Sequence, residues 1–258
     1  MILTIDAINS RGTAHGNNES LVTLGGIMLR DGSFSEEVEF TGDPAYYLLL
    51  ADGRGEEEKG ELAGSMTLEH LRDCFSMGDM EADTFADDIT RSVQYISHKI
   101  NVIARYEKQN PLMGCTLTGV VWLEERVWLV NAGDSRTYLF RDGLVEQLTV
   151  DEKNGKDLLT NAVGGGSDTT LAVTELTGRL QDGDILLICS RGLGEVINDD
   201  YLEYFLMSSA APAEALAEWA VENGYTDNIS VIAARVGGGA FGDDDEFPDD
   251  DGRYDAWV

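Results

Sequence analysis

Only Trp-Leu-Glu-Glu-Arg separates Val121 from Val127, and each of those valines lies in an apolar, β-rich run: Thr116 to Leu123 and Arg126 to Gly133. A link that short closes a hairpin and leaves no room for a crossover helix, so the pair is expected to be antiparallel, which argues against a Rossmann fold. Tyr46 to Gly53, Asp184 to Ser190 and Asn228 to Val236 are further strands of the same short, glycine-bounded or β-branched kind. Apolar Phe85, Ile89, Val93, Ile96, Ile100 and Ile103 recur every three or four residues, which predicts one long amphipathic helix over Ala82 to Gln109. Shorter helices are predicted over Gly60 to Phe75, Tyr201 to Met207 and Pro212 to Asn223, the last entered by a proline. The expected class is α+β, two β-rich layers with helices outside.

Charge narrows the partners. The 258 residues carry 18 Lys plus Arg against 48 Asp plus Glu, a formal net charge of -30. Such a surface repels nucleic acid and anionic lipid, so neither is expected as a partner. Cys74, Cys115 and Cys189 are odd in number and far apart, without a CxxC pair, which fits a reducing cytoplasm better than a disulfide framework or a cysteine zinc site. No basic segment followed by an apolar core opens the sequence, and no run of 18 apolar residues occurs, so an unexported protein that spans no membrane is expected. The expected division is a domain over residues 1–236, followed by a glycine hinge and an acidic tail over 237–258, where Asp243 to Val258 hold eight acidic residues and one Arg. That tail lacks the ligand spacing and closing glutamate of an EF-hand.

Aspartates stand at the ends of apolar strands beside glycine or in tight turns: Asp52 in LLLADGRG, Asp134 in LVNAGDSR and Asp227 in GYTDNIS, while LLICSRGLG carries Arg191 at the corresponding place. One such acid is ordinarily a turn or cap residue. Several together form the oxygen-rich cluster that hard divalent cations favour.

Five segments in order, YLLLADGRG with Gly60-Glu61 following, MGCTLTGVVW, VNAGDSRTYLFRDG with QLTVDE, GDILLICSRGLGEVI and GYTDNISVIAARV, resemble the protein phosphatase 2C-like (PPM-type) metal-dependent Ser/Thr phosphatases. The resemblance runs from Asn18 to Val236. It implies a four-layer α-β-β-α sandwich whose cleft holds two manganese or magnesium ions that activate a bridging water toward phosphoserine or phosphothreonine. It places Asp52 as the shared metal ligand, the Gly53 carbonyl on the second metal, Asp227 on the first, Glu19 on metal-bound water and Asp134 at a third metal.

The sequence departs from that pattern at three places. Arg191 replaces the aspartate of Ser-Asp-Gly, Ser20 replaces the aspartate of Asn-Glu-Asp, and His15 falls near the place of a phosphate-binding arginine, with Arg11 nearby but out of register. Arg191 either turns inward, bridging Asp52 and Asp227 where the first metal would stand, or swings out and leaves Asp52 and the Gly53 carbonyl to bind one ion weakly. At most one manganese or magnesium ion is expected in the impaired form, two if the site is active. His15 is either a stand-in acid or a structural histidine. Cys115 is expected to be small and buried rather than reactive. Two readings follow: a pseudophosphatase that binds a phosphoprotein or kinase partner, or an active manganese-dependent protein phosphatase with an unusual metal site.

Overall fold

Two antiparallel sheets face one another with helices on both outer sides, which is the expected α-β-β-α sandwich. The computed structural model describes residues 1–14, 16–54, 59–78, 80–106, 112–156 and 158–242. In chain order the elements are β1 (Ile2–Ser10), β2 (Ser20–Leu24), β3 (Ile27–Leu29), β4 (Gly32–Glu39), β5 (Tyr46–Arg54), α1 (Lys59–Met77), α2 (Phe85–Tyr106), β6 (Gly114–Cys115), β7 (Leu117–Leu123), β8 (Arg126–Ala132), β9 (Arg136–Arg141) and β10 (Leu144–Gln147). They continue as β11 (Val163–Gly164), β12 (Ala172–Glu175), β13 (Ile185–Cys189), α3 (Arg191–Val196), α4 (Asp199–Ser208), α5 (Pro212–Glu222) and β14 (Ile229–Val236).

One sheet runs β10-β9-β13-β14-β1-β4; the other runs β11-β6-β5-β7-β8-β12, with β2 on β5 and β3 on β2. The expected hairpin is β7–β8, with Leu123 opposite Arg126 and Glu124 at φ 55° in its turn. The predicted helices appear as α1, α2, α4 and α5, within a few residues of their expected ends. Gln109, the expected end of the long helix, lies outside the described residues. No described helix is long and apolar enough to cross a membrane.

Strand periodicity sorts side chains between layers. On β5, Tyr47, Leu49 and Ala51 face α1 and α2, whereas Leu48 and Leu50 join the core between the sheets. On β14, Ile229, Val231 and Ala233 face α3 to α5, whereas Ile232, Ala234 and Val236 face inward. Following the same alternation, Asp52, Ser20, Asn9, Ser190, Ser230, Thr118 and Asn131 take inward-facing positions, so the core between the sheets becomes polar at one end. Hydrogen bonds satisfy much of that end: Asn18 Nδ2 donates to Asn9 Oδ1 (2.8 Å), Ser230 Oγ donates to the same oxygen (2.9 Å), and Thr116 and Ser135 hydroxyls share a bond of 2.7 Å.

Residues 237–242 remain packed on the domain, with Gly237 N donating to the Ile2 carbonyl and Phe241 buried beside α4 and α5. The acidic segment 243–258 lies outside the described residues.

Candidate functional site

The strand register explains why the candidate residues share one end of the sandwich. β2 pairs with β5 so that Ser20 lies opposite Asp52, and the Ser20 hydroxyl donates to Asp52 Oδ1 at 2.7 Å. Gly53 N donates to the Glu19 carbonyl (3.2 Å), and Thr116 N donates to the Asp52 carbonyl (2.9 Å). Gly53 and Gly60 meet where β5 passes the first turn of α1, and a Cβ on either would collide with the other's backbone or with Glu19. Both positions therefore need glycine. Arg30 fastens the segment before β2: its Nη1 donates to the Asn18 carbonyl (2.6 Å) and its Nη2 to Ser65 Oγ (2.7 Å).

Asp134 occupies the passage in which the chain leaves β8 in one sheet and enters β9 in the other. Its side chain is 1% exposed, and Arg54 Nη2 donates to both of its oxygens at 3.0 Å each. At the start of β14, Asp227 Oδ1 accepts from Asn228 N (2.7 Å), and Asn228 Oδ1 accepts from Glu19 N (2.9 Å). The Asp52 carboxyl is raised above its ordinary range, chiefly by burial; the Ser20 hydroxyl and Arg54 lower it, while Asp227 and Asp134 raise it further by repulsion. Asp134 and Asp227 are thus each within electrostatic reach of Asp52.

Arg191 is not between Asp52 and Asp227, as inward bridging required, nor wholly in solvent. Its ion pairs are with Asp134 (Nε to Oδ2, 3.7 Å) and with Glu195 one helical turn on (Nη1 to Oε2, 3.7 Å). The reason is local: Ser190 is the N-cap of α3 and Arg191 its first residue, so the side chain leaves along the helix toward the sheet crossover. Arg136 holds this helix from β9 by donating to the Gly194 carbonyl while gripping both oxygens of Asp151 at 2.9 and 2.7 Å. Tyr225 abuts Gly192 so closely that a Cβ there would overlap its phenol oxygen.

Arg54 went unrecognised in the sequence, where it reads as part of a glycine turn. A cation two residues beyond a strand-end aspartate was the available signal. Cys115 is buried as expected, and burial pushes its thiol up to about 12. His15 lies outside the described residues.

These residues can be tested against the two ions that the resemblance implies. Both Asp134 oxygens are engaged by a guanidinium, a second guanidinium stands 3.7 Å away, and one Asp52 oxygen is engaged by a serine hydroxyl. Among the described residues, no three His, Cys, Asp or Glu side chains converge as a metal-holding group. As arranged, the described side chains fit internal arginine cations and do not fit a pair of divalent ions.

No protein-family model matches the chain. The serine/threonine protein phosphatase PstP of Mycobacterium tuberculosis is 29% identical over 257 residues, covering 92% of this chain, which spans 45% of that relative's length. A solved serine/threonine phosphatase of S. agalactiae superposes with a TM-score of 0.77 at 20% identity, covering 91% of this chain and 99% of its own. The catalytic domain of PstP in complex with two manganese ions superposes at 0.69 with 27% identity, covering 90% and 98%. In sequence and fold, this chain is a homologue of the protein phosphatase 2C-like, PPM-type Ser/Thr phosphatases.

Proposed function

We propose that this chain is a catalytically impaired protein phosphatase 2C-like module, a pseudophosphatase that binds a phosphoprotein or kinase partner through the cleft. The supporting observation is Arg191, a cation where the resemblance implies a metal-binding aspartate, with its guanidinium directed at Asp134. A two-metal centre supplies both the nucleophile and the charge stabilisation for hydrolysis, so placing a fixed cation among its ligands removes most of the rate. In this reading Asp52, the Gly53 carbonyl and Asp227 retain at most one manganese or magnesium ion, with Glu19 at the place where the family holds metal-bound water. The domain over residues 1–236 carries this function in the cytoplasm, with 237–258 as an acidic appendage.

The second reading, an active manganese-dependent protein phosphatase, draws on the retention of Asp52, Gly53, Asp134 and Asp227 and on the two manganese ions in the PstP structure. Initial rates of phosphopeptide hydrolysis in millimolar manganese, wild type against Asp52→Asn, separate the two. Equal, background rates are expected; a wild-type rate that disappears in Asp52→Asn establishes the enzyme and ends the pseudophosphatase reading.

A further inference from the structure

The polar end of the sandwich around Asp134 holds more hydrogen-bond donors than it uses. Arg191 makes no hydrogen bond among the described residues: both of its ion-pair contacts are 3.7 Å, beyond hydrogen-bond length, and its Nε is buried without a partner. Arg54 uses only Nη2, on Asp134, which leaves its Nε and Nη1 without acceptors among the described residues. The Tyr225 hydroxyl, wedged against Gly192 beside Arg191, likewise has no hydrogen bond there, and a phenol is a donor at neutral pH. Of these donors Arg191 Nε is the one buried without a partner, while the Arg54 and Arg191 side chains are 29% and 28% exposed, so their remaining forked donors are within reach of a ligand's oxygens.

We infer that Arg54, Arg191 and Tyr225 form a metal-independent seat for a phosphate monoester, the phosphorylated side chain of a partner protein. This rests on the binding-module reading above and names the chemistry by which that module would recognise its partner. A tetrahedral phosphate offers three peripheral oxygens, enough to engage both guanidinium forks and the phenol together. A neutral serine or threonine hydroxyl offers neither the charge nor the number of acceptors. Asp134 is matched by Arg54, while Glu195 is shared between Arg191 and Lys153, whose Nζ lies 3.2 Å from Glu195 Oε1. The seat therefore works through short contacts in an otherwise acidic surface. It discriminates by hydrogen bonding rather than by long-range attraction.

The test is calorimetric titration of the full chain in EDTA with inorganic phosphate, with a phosphoserine peptide and with the same peptide unphosphorylated. Saturable binding of the first two and none of the third is expected, the peptide binding more tightly than phosphate alone. Arg191→Ala should weaken phosphopeptide binding at least about tenfold, Arg191→Lys less, and Tyr225→Phe severalfold, with thermal melts checking that each variant is folded. Absence of saturable binding in EDTA, binding only when manganese is added, or equal affinity in folded Arg191→Ala each overturns the seat. Hydrolysis measured on the same samples keeps the two claims apart. Manganese-dependent turnover that needs Asp52 removes the binding-module reading, whereas absent turnover together with absent binding in EDTA removes only the phosphate seat.

Discussion

Arg54 Nη2 lies 3.0 Å from both carboxylate oxygens of Asp134, a side chain that is 1% exposed. The pair ties the end of β5 to the crossover between the sheets. Arg54→Ala leaves a buried carboxylate with only the more distant Arg191 and should cost about 3 kcal/mol in urea denaturation. Asp134→Asn in the same background should recover a large part of that loss, because the stranded charge is gone. Additive losses in the double variant would show that the two residues do not act as a pair.

Arg191 presents the opposite case. Its guanidinium makes no hydrogen bond among the described residues, and both ion-pair contacts are long. Arg191→Ala should therefore leave stability within about 1 kcal/mol of wild type. A loss comparable to that of Arg54→Ala would make Arg191 a structural residue.

Asp52 should weaken the fold when ionised. Its folded-state pKa is raised above 3.8, first by burial, so its contribution to stability is fully present below pH 3.8 and is lost as pH rises through the raised value. Asp52→Asn imitates the protonated acid and can still accept the Ser20 hydrogen bond. The variant should melt about 2–4 °C higher than wild type near pH 7, with the difference closing as pH falls toward 3.8. A lower melting point for the variant at neutral pH contradicts this electrostatic account.

The sequence disclosed the elements whose side chains follow one period. Tyr46–Arg54, Leu117–Leu123 and Arg126–Ala132 are strongly apolar, and Phe85–Tyr106 carries an unbroken buried stripe. Strand β4 escaped notice because it is an edge strand with exposed Glu36 and Glu37 and little apolar alternation. Helix α3 escaped because its six residues, two of them glycine, are too few to show a helical period. The three aspartates share a placement at strand ends or tight turns, and Asp134 and Asp227 both bear on Asp52. The partners of Arg191 were not legible in the sequence, because they depend on the direction in which α3 leaves β13 and on Asp134, whose other cation, Arg54, lies 80 residues away in sequence and in no local pattern.

Ala211, the N-cap of helix α5, offers no side-chain cap, and Asp6 on β1 supplies one: its Oδ2 accepts from Ala213 N at 2.8 Å. Asp6→Ala should cost about 1–2 kcal/mol, and Asp6→Asn less, because the amide oxygen can still accept that bond. Burial raises the Asp6 carboxyl, so wild type should gain on Asp6→Asn as pH falls toward the ordinary carboxylate range. Equal stability of the Ala and Asn variants would dismiss the capping role.

The most direct measurement is the stoichiometry of manganese binding by calorimetry, for wild type and for the Arg54→Met, Arg191→Asp double variant. If guanidiniums stand in place of ions around Asp134, wild type takes up at most one manganese ion and the double variant takes up more. Two ions bound by wild type would contradict the account.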